Sequence, residues 1–207
     1  MFFTFVMLVS ITRGVIMISR VDHVAIAVKD YDKALSFFTE VLGAIPGSSA
    51  KDPGLKYYWE NFCLGDLSRL ELITPTESGS FLDNFLKDKP GGVHHVTLQT
   101  ASIQMAKEAL EKNNIPYFGF NDYGSVWKEL FIHPKYAFGV LLQIAEFKAD
   151  DWIAPSARMP ENTRWKLDKA EDGIELKFAH PGGGTVKISL DRAEARHLLN
   201  ELKQALE

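Results

Sequence analysis

A single cysteine, Cys63, stands in a chain of 207 residues, which excludes an internal disulfide framework and any cysteine-only zinc cluster. That usage suits a reducing compartment and sets the expectation of a cytoplasmic protein. No run of lysines or arginines occurs and the formal charge is −4, so neither a nucleic-acid surface nor an anionic-membrane surface is expected. Small molecules are the partners that remain. Long apolar runs are also missing: the longest, within MFFTFVMLVSI at the start, spans about ten residues where a crossing helix needs roughly twenty. No basic residue precedes that run and no small-residue cleavage site follows it, so it does not read as a secretory signal. The expectation is that the natural start is Met17 and that residues 1–16 are a start-site artefact.

What remains is an ordinary globular balance, 46% hydrophobic and 24% charged, patterned as an internal repeat. VDHVAIAV (21–28) alternates as a strand does. DYDKALSFFTEVLG follows with Ala34, Leu35, Phe38, Val41 and Leu42 on one helical face and Gly43 as a stop. Strands are expected next near 57–64 and 69–74. The second copy opens on HHVTLQT (94–100), continues into a helix with Ile103, Ala106 and Leu110 inward, and closes with strands near 117–120, 126–132 and 140–145. SFLDNFLKDKPGG between the copies reads as a short linking helix. His23 and His95, Val24 and Val96, Ala34 and Ala106, Leu70 and Leu142, and Glu71 and Gln143 are all 72 positions apart. One coincidence means little; a shared offset at both ends of a module marks a duplication.

Strand parity then selects a candidate site. His23, Ala25 and Ala27 share one face while Val24, Ile26 and Val28 belong under the helix. The same parity turns Glu71, His95, Thr97, Gln99 and Gln143 to the side of His23, where small residues leave room for an open cavity floor. Singly, a strand histidine or a mid-strand glutamate is more often an edge or solvent-facing residue. Together, two imidazoles, a carboxylate and an amide oxygen suit one divalent metal, with a position or two left for water or substrate.

The residues just described carry a resemblance. VDHVAIAVKDYDKALSFFTEVLGA, GGVHHVTLQT and FIHPKYAFGVLLQI resemble the vicinal oxygen chelate superfamily, which includes the glyoxalases, bleomycin resistance proteins and dioxygenases, and within it the methylmalonyl-CoA epimerases. The resemblance covers residues 19–147, as modules of about 19–75 and 93–147, and implies an α+β fold of paired βαβββ units around one metal, cobalt, manganese, nickel or zinc. It puts the ligands at His23, Glu71, His95 and Gln143. The last departs from the family, where a glutamate normally stands and can also move a proton; Gln143 cannot. A second family base corresponds loosely to Glu60, with Glu129 as a rival. His94 and His133 read as structural, the latter capping the H-P-K turn.

The implied chemistry is epimerisation of a small acyl thioester, such as one of coenzyme A, through a metal-stabilised enolate, with Glu60 and Gln143 as the groups near the proton. A glyoxalase I-like lyase and a non-catalytic binding protein are the alternatives, and a homodimer is carried as a candidate assembly. Residues 148–163 read as a linker. WKLDKA, GIELKFAH and TVKISL read as a small meander within 164–207, and Asp191 with Glu194 as a capping box for a final helix striped by Leu198, Leu199, Leu202 and Leu206. That unit is marginal alone and needs a surface to pack on.

Overall fold

The computed structural model describes residues 17–64, 68–152, 158–180 and 183–207, so the first sixteen residues and their expected artefact lie outside the described residues. The first module runs β1 (Ile18–Val28), α1 (Tyr31–Ser36), β2 (Ile45–Asp52), β3 (Tyr57–Cys63) and β4 (Arg69–Pro75). After α2 (Leu82–Leu86), the second runs β5 (Gly91–Thr100), α3 (Ile103–Lys112), β6 (Phe118–Asp122), β7 (Lys128–Ile132) and β8 (Leu142–Glu146). The strands form one curled mixed sheet in the order β2-β3-β4-β1-β5-β8-β7-β6. Each half is the other's mirror in strand order, and the two join edge to edge where β1 pairs antiparallel with β5. The 72-residue offset is exact in the registers: Ala25 lies opposite Glu71 in the parallel β1–β4 pair, and Thr97 opposite Gln143 in the parallel β5–β8 pair.

Both module helices start as their sequences dictate. Asp30 accepts from the Lys33 amide and Ser102 from the Met105 amide, satisfying first-turn donors. In α3, Ile103, Ala106 and Leu110 are buried against Leu130, Ile132 and Ile144. α1 departs from expectation. Beyond Ser36 the chain widens into a π-turn over Phe37–Val41, and the extra residue per turn rotates the apolar stripe. Ala34, Leu35 and Phe38 still pack on Phe62 and Leu72, but Val41 is 70% and Leu42 51% exposed. β2, which alternation did not reveal, is an edge strand bearing Pro46 and Gly47 with nearly every residue exposed; no face of it is buried, so no period is imposed.

The inner face corrects a second expectation. Leu82 and Leu86 of the linking helix are buried against Ala25, Ala27 and Ile73. The small residues therefore seat α2 and do not floor an open cavity; what stays free of the helix is the end of the sheet around His23. Gly91 lets β5 begin close to β1, because a Cβ there would sit 2.8 Å from the Ala27 carbonyl oxygen.

Past β8 the chain is tied down more than a linker would be. A 3₁₀ turn at Ala149–Trp152 buries Ala149 and sets the Trp152 ring 5.4 Å from Trp127 and 6.1 Å from Trp59. β9 (Trp165–Ala170), β10 (Gly173–Ala179) and β11 (Thr185–Asp191) then form a separate antiparallel sheet followed by α4 (Arg192–Leu206). The capping box of Asp191 and Glu194 is complete. One face of this sheet is a lattice of ion pairs among Lys166, Asp168, Glu175, Lys177 and Lys187. The other is apolar, and Trp165, Leu167, Ile188, Leu199, Leu202 and Leu206 remain substantially exposed. Among the described residues no helix is long and apolar enough to cross a membrane.

Because Trp152 closes an aromatic cluster on the main sheet, Trp152→Ala is expected to cost about 2 kcal/mol. Deleting residues 164–207 should lower the melting temperature of the main sheet less than Trp152→Ala does, both read by circular dichroism.

Candidate metal centre

His23 on β1, Glu71 on β4 and His95 on β5 come together. One ligating atom from each lies within 4.8 Å of the others, and Glu71 Oε2 is 3.7 Å from Nε2 of both His23 and His95. Donors bound to one first-row divalent ion at about 2.0–2.2 Å stand roughly 3–3.5 Å apart, so a small inward adjustment of side chains suffices. All three come from central strands of the sheet, where backbone pairing on both sides fixes the Cα positions.

A second layer holds these groups. His23 Nδ1 is 2.7 Å from Asp22 Oδ2, and the other Asp22 oxygen accepts from both Arg20 and Arg69. Asp22 and His23 are consecutive and both buried, and a register shift between Val21 and His23 releases Asp22 from strict alternation so that its carboxylate can turn back to the His23 ring. Burial alone would raise the Asp22 carboxyl, but the hydrogen bond from His23 and the charges of Arg69, His23 and Arg20 hold it below its ordinary value. An ionised Asp22 takes the Nδ1 proton of His23 as donor and leaves Nε2 as a bare acceptor, the tautomer a metal requires.

The bridge made by Thr97 lacks one hydrogen. The Thr97 hydroxyl, fully buried, lies 2.8 Å from His23 Nε2 and 2.5 Å from Gln143 Oε1. Both are acceptors and the hydroxyl has one hydrogen to give. Beside them the Glu71 carboxyl is pushed up by burial, and by Glu129 and Asp22, against the pull of His23. Burial likewise drives His95 well below the usual imidazole value, with His23 and His94 adding to it. Two imidazole nitrogens, a carboxyl whose charged form burial disfavours and an amide oxygen converge here; a divalent cation would favour the carboxylate and take up the nitrogen lone pairs, so the residues fit the metal that the fold implies.

The expected site residues do not all arrive. Gln143 on β8 is buried and reaches the triad through Thr97; its Nε2 donates to Glu129 Oε2 at 2.5 Å. Glu60 does not reach the site. It lies opposite Leu72 on the helix side of the sheet, where its carboxylate accepts from the hydroxyls of Tyr31 on α1 and Tyr58. A side chain there cannot meet a substrate on the inner face. Glu129, its rival, pairs with Ala145 two residues from Gln143 and does share the inner face. His94 packs edge-on to Phe81 and Phe85, with Nδ1 3.0 Å from His95 Nδ1, and His133 Nδ1 accepts from the Lys135 amide at the turn. The sequence reading missed Asp22, Arg69 and the role of Thr97; the adjacent Asp-His pair was the available signal.

These features define a protein of paired βαβββ modules with a candidate metal site where they meet. The chain belongs to the Glyoxalase/Bleomycin resistance protein/Dioxygenase superfamily, whose pattern matches residues 22–126. Its relatives there include the mitochondrial methylmalonyl-CoA epimerase of Mus musculus, 35% identical in an alignment that covers 62% of this chain and 74% of the relative. The ethylmalonyl-CoA/methylmalonyl-CoA epimerase of Cereibacter sphaeroides is 32% identical over 63% of this chain and 99% of its own. A Streptomyces coelicolor methylmalonyl-CoA epimerase solved with 2-nitronate-propionyl-CoA shares the fold, with a TM-score of 0.55 at 23% identity over 63% of this chain and 98% of that one.

Two outcomes are expected. Asp22→Asn should weaken divalent-metal binding about 10- to 100-fold, measured by competition with a chelating dye, and His23→Ala should weaken it more. His94 is held at about 4, chiefly by burial and secondly by Lys89, against about 6.5 when unfolded. The unfolded chain therefore binds the extra proton between those values, and the stability tied to His94 is lost as pH falls from 6.5 towards 4. In urea unfolding of the metal-free protein, His94→Phe should lose less stability between pH 7 and pH 5 than the wild type.

Proposed function

We propose that the chain is a divalent-metal-dependent isomerase that binds a small acyl-CoA thioester and epimerises it through an enolate. The observation that carries this reading is the convergence of His23, Glu71 and His95, within a family where relatives sharing a third of the sequence are methylmalonyl-CoA epimerases. His23, Glu71 and His95 would hold the metal, cobalt, manganese, nickel or zinc, with the Gln143 oxygen as fourth ligand. When bound, the ion supplies a Lewis acid for two substrate oxygens and stabilises enolate charge. Asp22 fixes the tautomer and aim of His23. Thr97, freed from His23 Nε2 by such an ion, keeps its single hydrogen for Gln143.

Proton transfer is where this chain differs. Gln143 is an amide, and Glu60 serves the helix side of the sheet, so neither residue supplies a base to the reacting carbon, and the α-proton would pass to solvent water at the open end of the site and return from it. That observation favours a second reading, a glyoxalase-like or purely binding role on the same metal. The 164–207 unit is proposed to carry no catalytic residue, and its exposed leucines make a second copy of the chain a candidate partner. The lone cysteine supports a cytoplasmic setting, while the mouse relative's name places that protein in mitochondria.

Solvent-deuterium incorporation at the α-carbon of methylmalonyl-CoA, with metal-loaded protein, tests the proposal. Exchange should require metal, vanish in His23→Ala, persist in Glu60→Gln and rise about tenfold or more in Gln143→Glu, which restores a carboxylate. Metal-loaded protein that binds the thioester without exchange above buffer would leave the binding role in place of the epimerase.

A further inference from the structure

Gln143 stands where its half of the duplication has lost a carboxylate: the equivalent position 72 residues earlier is Glu71. An amide is a usable metal ligand only through its oxygen, and a free carboxamide can present either end. What decides the orientation here is Glu129. Its Oε2 receives the Gln143 Nε2 hydrogen at 2.5 Å and the Trp127 Nε1 hydrogen at 2.8 Å, and its Oε1 receives from Asn121 Nδ2 at 2.9 Å. Three donors from three residues hold the carboxylate still. Reversing the amide would set its oxygen lone pairs against the Glu129 carboxylate, so Gln143 has one stable orientation, oxygen toward Thr97 and the triad.

The position of Glu129 is as specific as its contacts. Glu129 lies opposite Ala145 on β7–β8, and the matching place in the first half, opposite Ile73, is Trp59, which packs beside α2. A packing position in one module has thus become a carboxylate in the other, next to the one ligand position that is an amide.

We infer that Glu129 is a positioning residue that turns the Gln143 carbonyl oxygen onto the metal and, by drawing on the amide N–H, makes that oxygen a stronger donor. It is to Gln143 what Asp22 is to His23, an outer carboxylate fixing which atom of a ligand faces the ion. The ligand set then keeps one formal negative charge, Glu71, with a second held a side chain away. The inference rests on Gln143 being a ligand, and the experiment separates the two.

Affinity for Co²⁺ alone, with its visible spectrum as a reporter of coordination, is measured by chelator competition in full-length wild type, Gln143→Ala, Glu129→Ala, Glu129→Gln, Gln143→Glu and the Gln143→Glu/Glu129→Ala pair, each checked for fold by circular dichroism. Glu129→Ala should weaken binding about tenfold or more and alter the Co²⁺ spectrum, while Glu129→Gln, whose amide oxygen still accepts from Gln143, should recover most of the loss. In the Gln143→Glu background the sign should reverse: a carboxylate needs no orienting and is repelled by Glu129, so Glu129→Ala should leave Co²⁺ affinity unchanged or raise it. Wild-type affinity and spectrum in Glu129→Ala, beside a weakened Gln143→Ala, would overturn the positioning role and leave Gln143 a ligand. Wild-type affinity and spectrum in Gln143→Ala would overturn both. An equal loss on Glu129→Ala in both backgrounds would make Glu129 merely structural.

Discussion

The antiparallel pairing of β1 with β5 is the constraint on which the rest depends. Each module supplies only half a sheet and part of the converging cluster: His23 and Glu71 from the first, and from the second His95, with Gln143 beside it through Thr97. Pairing the two inner edges buries what would otherwise be an exposed strand on each module. It also sets the His23 and His95 rings 5.8 Å apart, centre to centre. Two of the three irregularities in this ladder, between Val21 and His23 and between Ala25 and Ile26, fall at the two residues that flank the candidate ligands, Asp22 and His94. A bulge frees one residue from strict alternation. Here each bulge turns a neighbour of a ligating histidine toward that histidine, so the same seam both joins the halves and supports the ligands.

Burial in this sheet runs opposite to the usual division. His95, Thr97 and Gln99 are buried on β5, whereas Val96 and Leu98 are only half-buried. Val24 and Val96 face each other across the seam on the helix side, outside the clusters under α1 and α3. The polar residues can be buried because each finds a partner: Gln99 reaches the Phe147 carbonyl and Arg20, and Thr97 bridges His23 and Gln143. A polar inner face is costly in an empty pocket. It is less so when a cation completes the coordination of the groups left short of hydrogens.

How much of this the sequence disclosed follows from which signals are local. The duplication was legible because an offset needs no structure, and parity on β1, β4, β5 and β8 was legible because those strands have one covered face. Glu60 went astray for a reason that parity itself could have caught: it pairs with Leu72, already assigned to the helix side, so Glu60 had to share that side. The π-turn in 37–41 and the edge strand β2 leave no periodic trace, the first because an inserted residue mimics a continuing helix, the second because neither face is buried. The reach of α2 over Ala25 and Ala27 depends on how a linker folds back. That is a long-range matter that composition does not encode.

The exchange of a carboxylate for an amide at position 143 has a cost that the neighbouring strand offsets. With two carboxylates in direct contact, a divalent ion is nearly neutralised and its ligand atoms need no outside help to face it. With one, the ion keeps more of its charge to spend on a substrate carbonyl, but the amide must be oriented and the second negative charge must stand somewhere. Glu129, pinned by Trp127 and Asn121, meets both needs one hydrogen bond away. The same arrangement removes a proton acceptor from direct contact with the substrate. A centre organised in this way gains polarising power and gives up base strength, and which of the two matters more depends on how acidic the bound substrate's C–H already is.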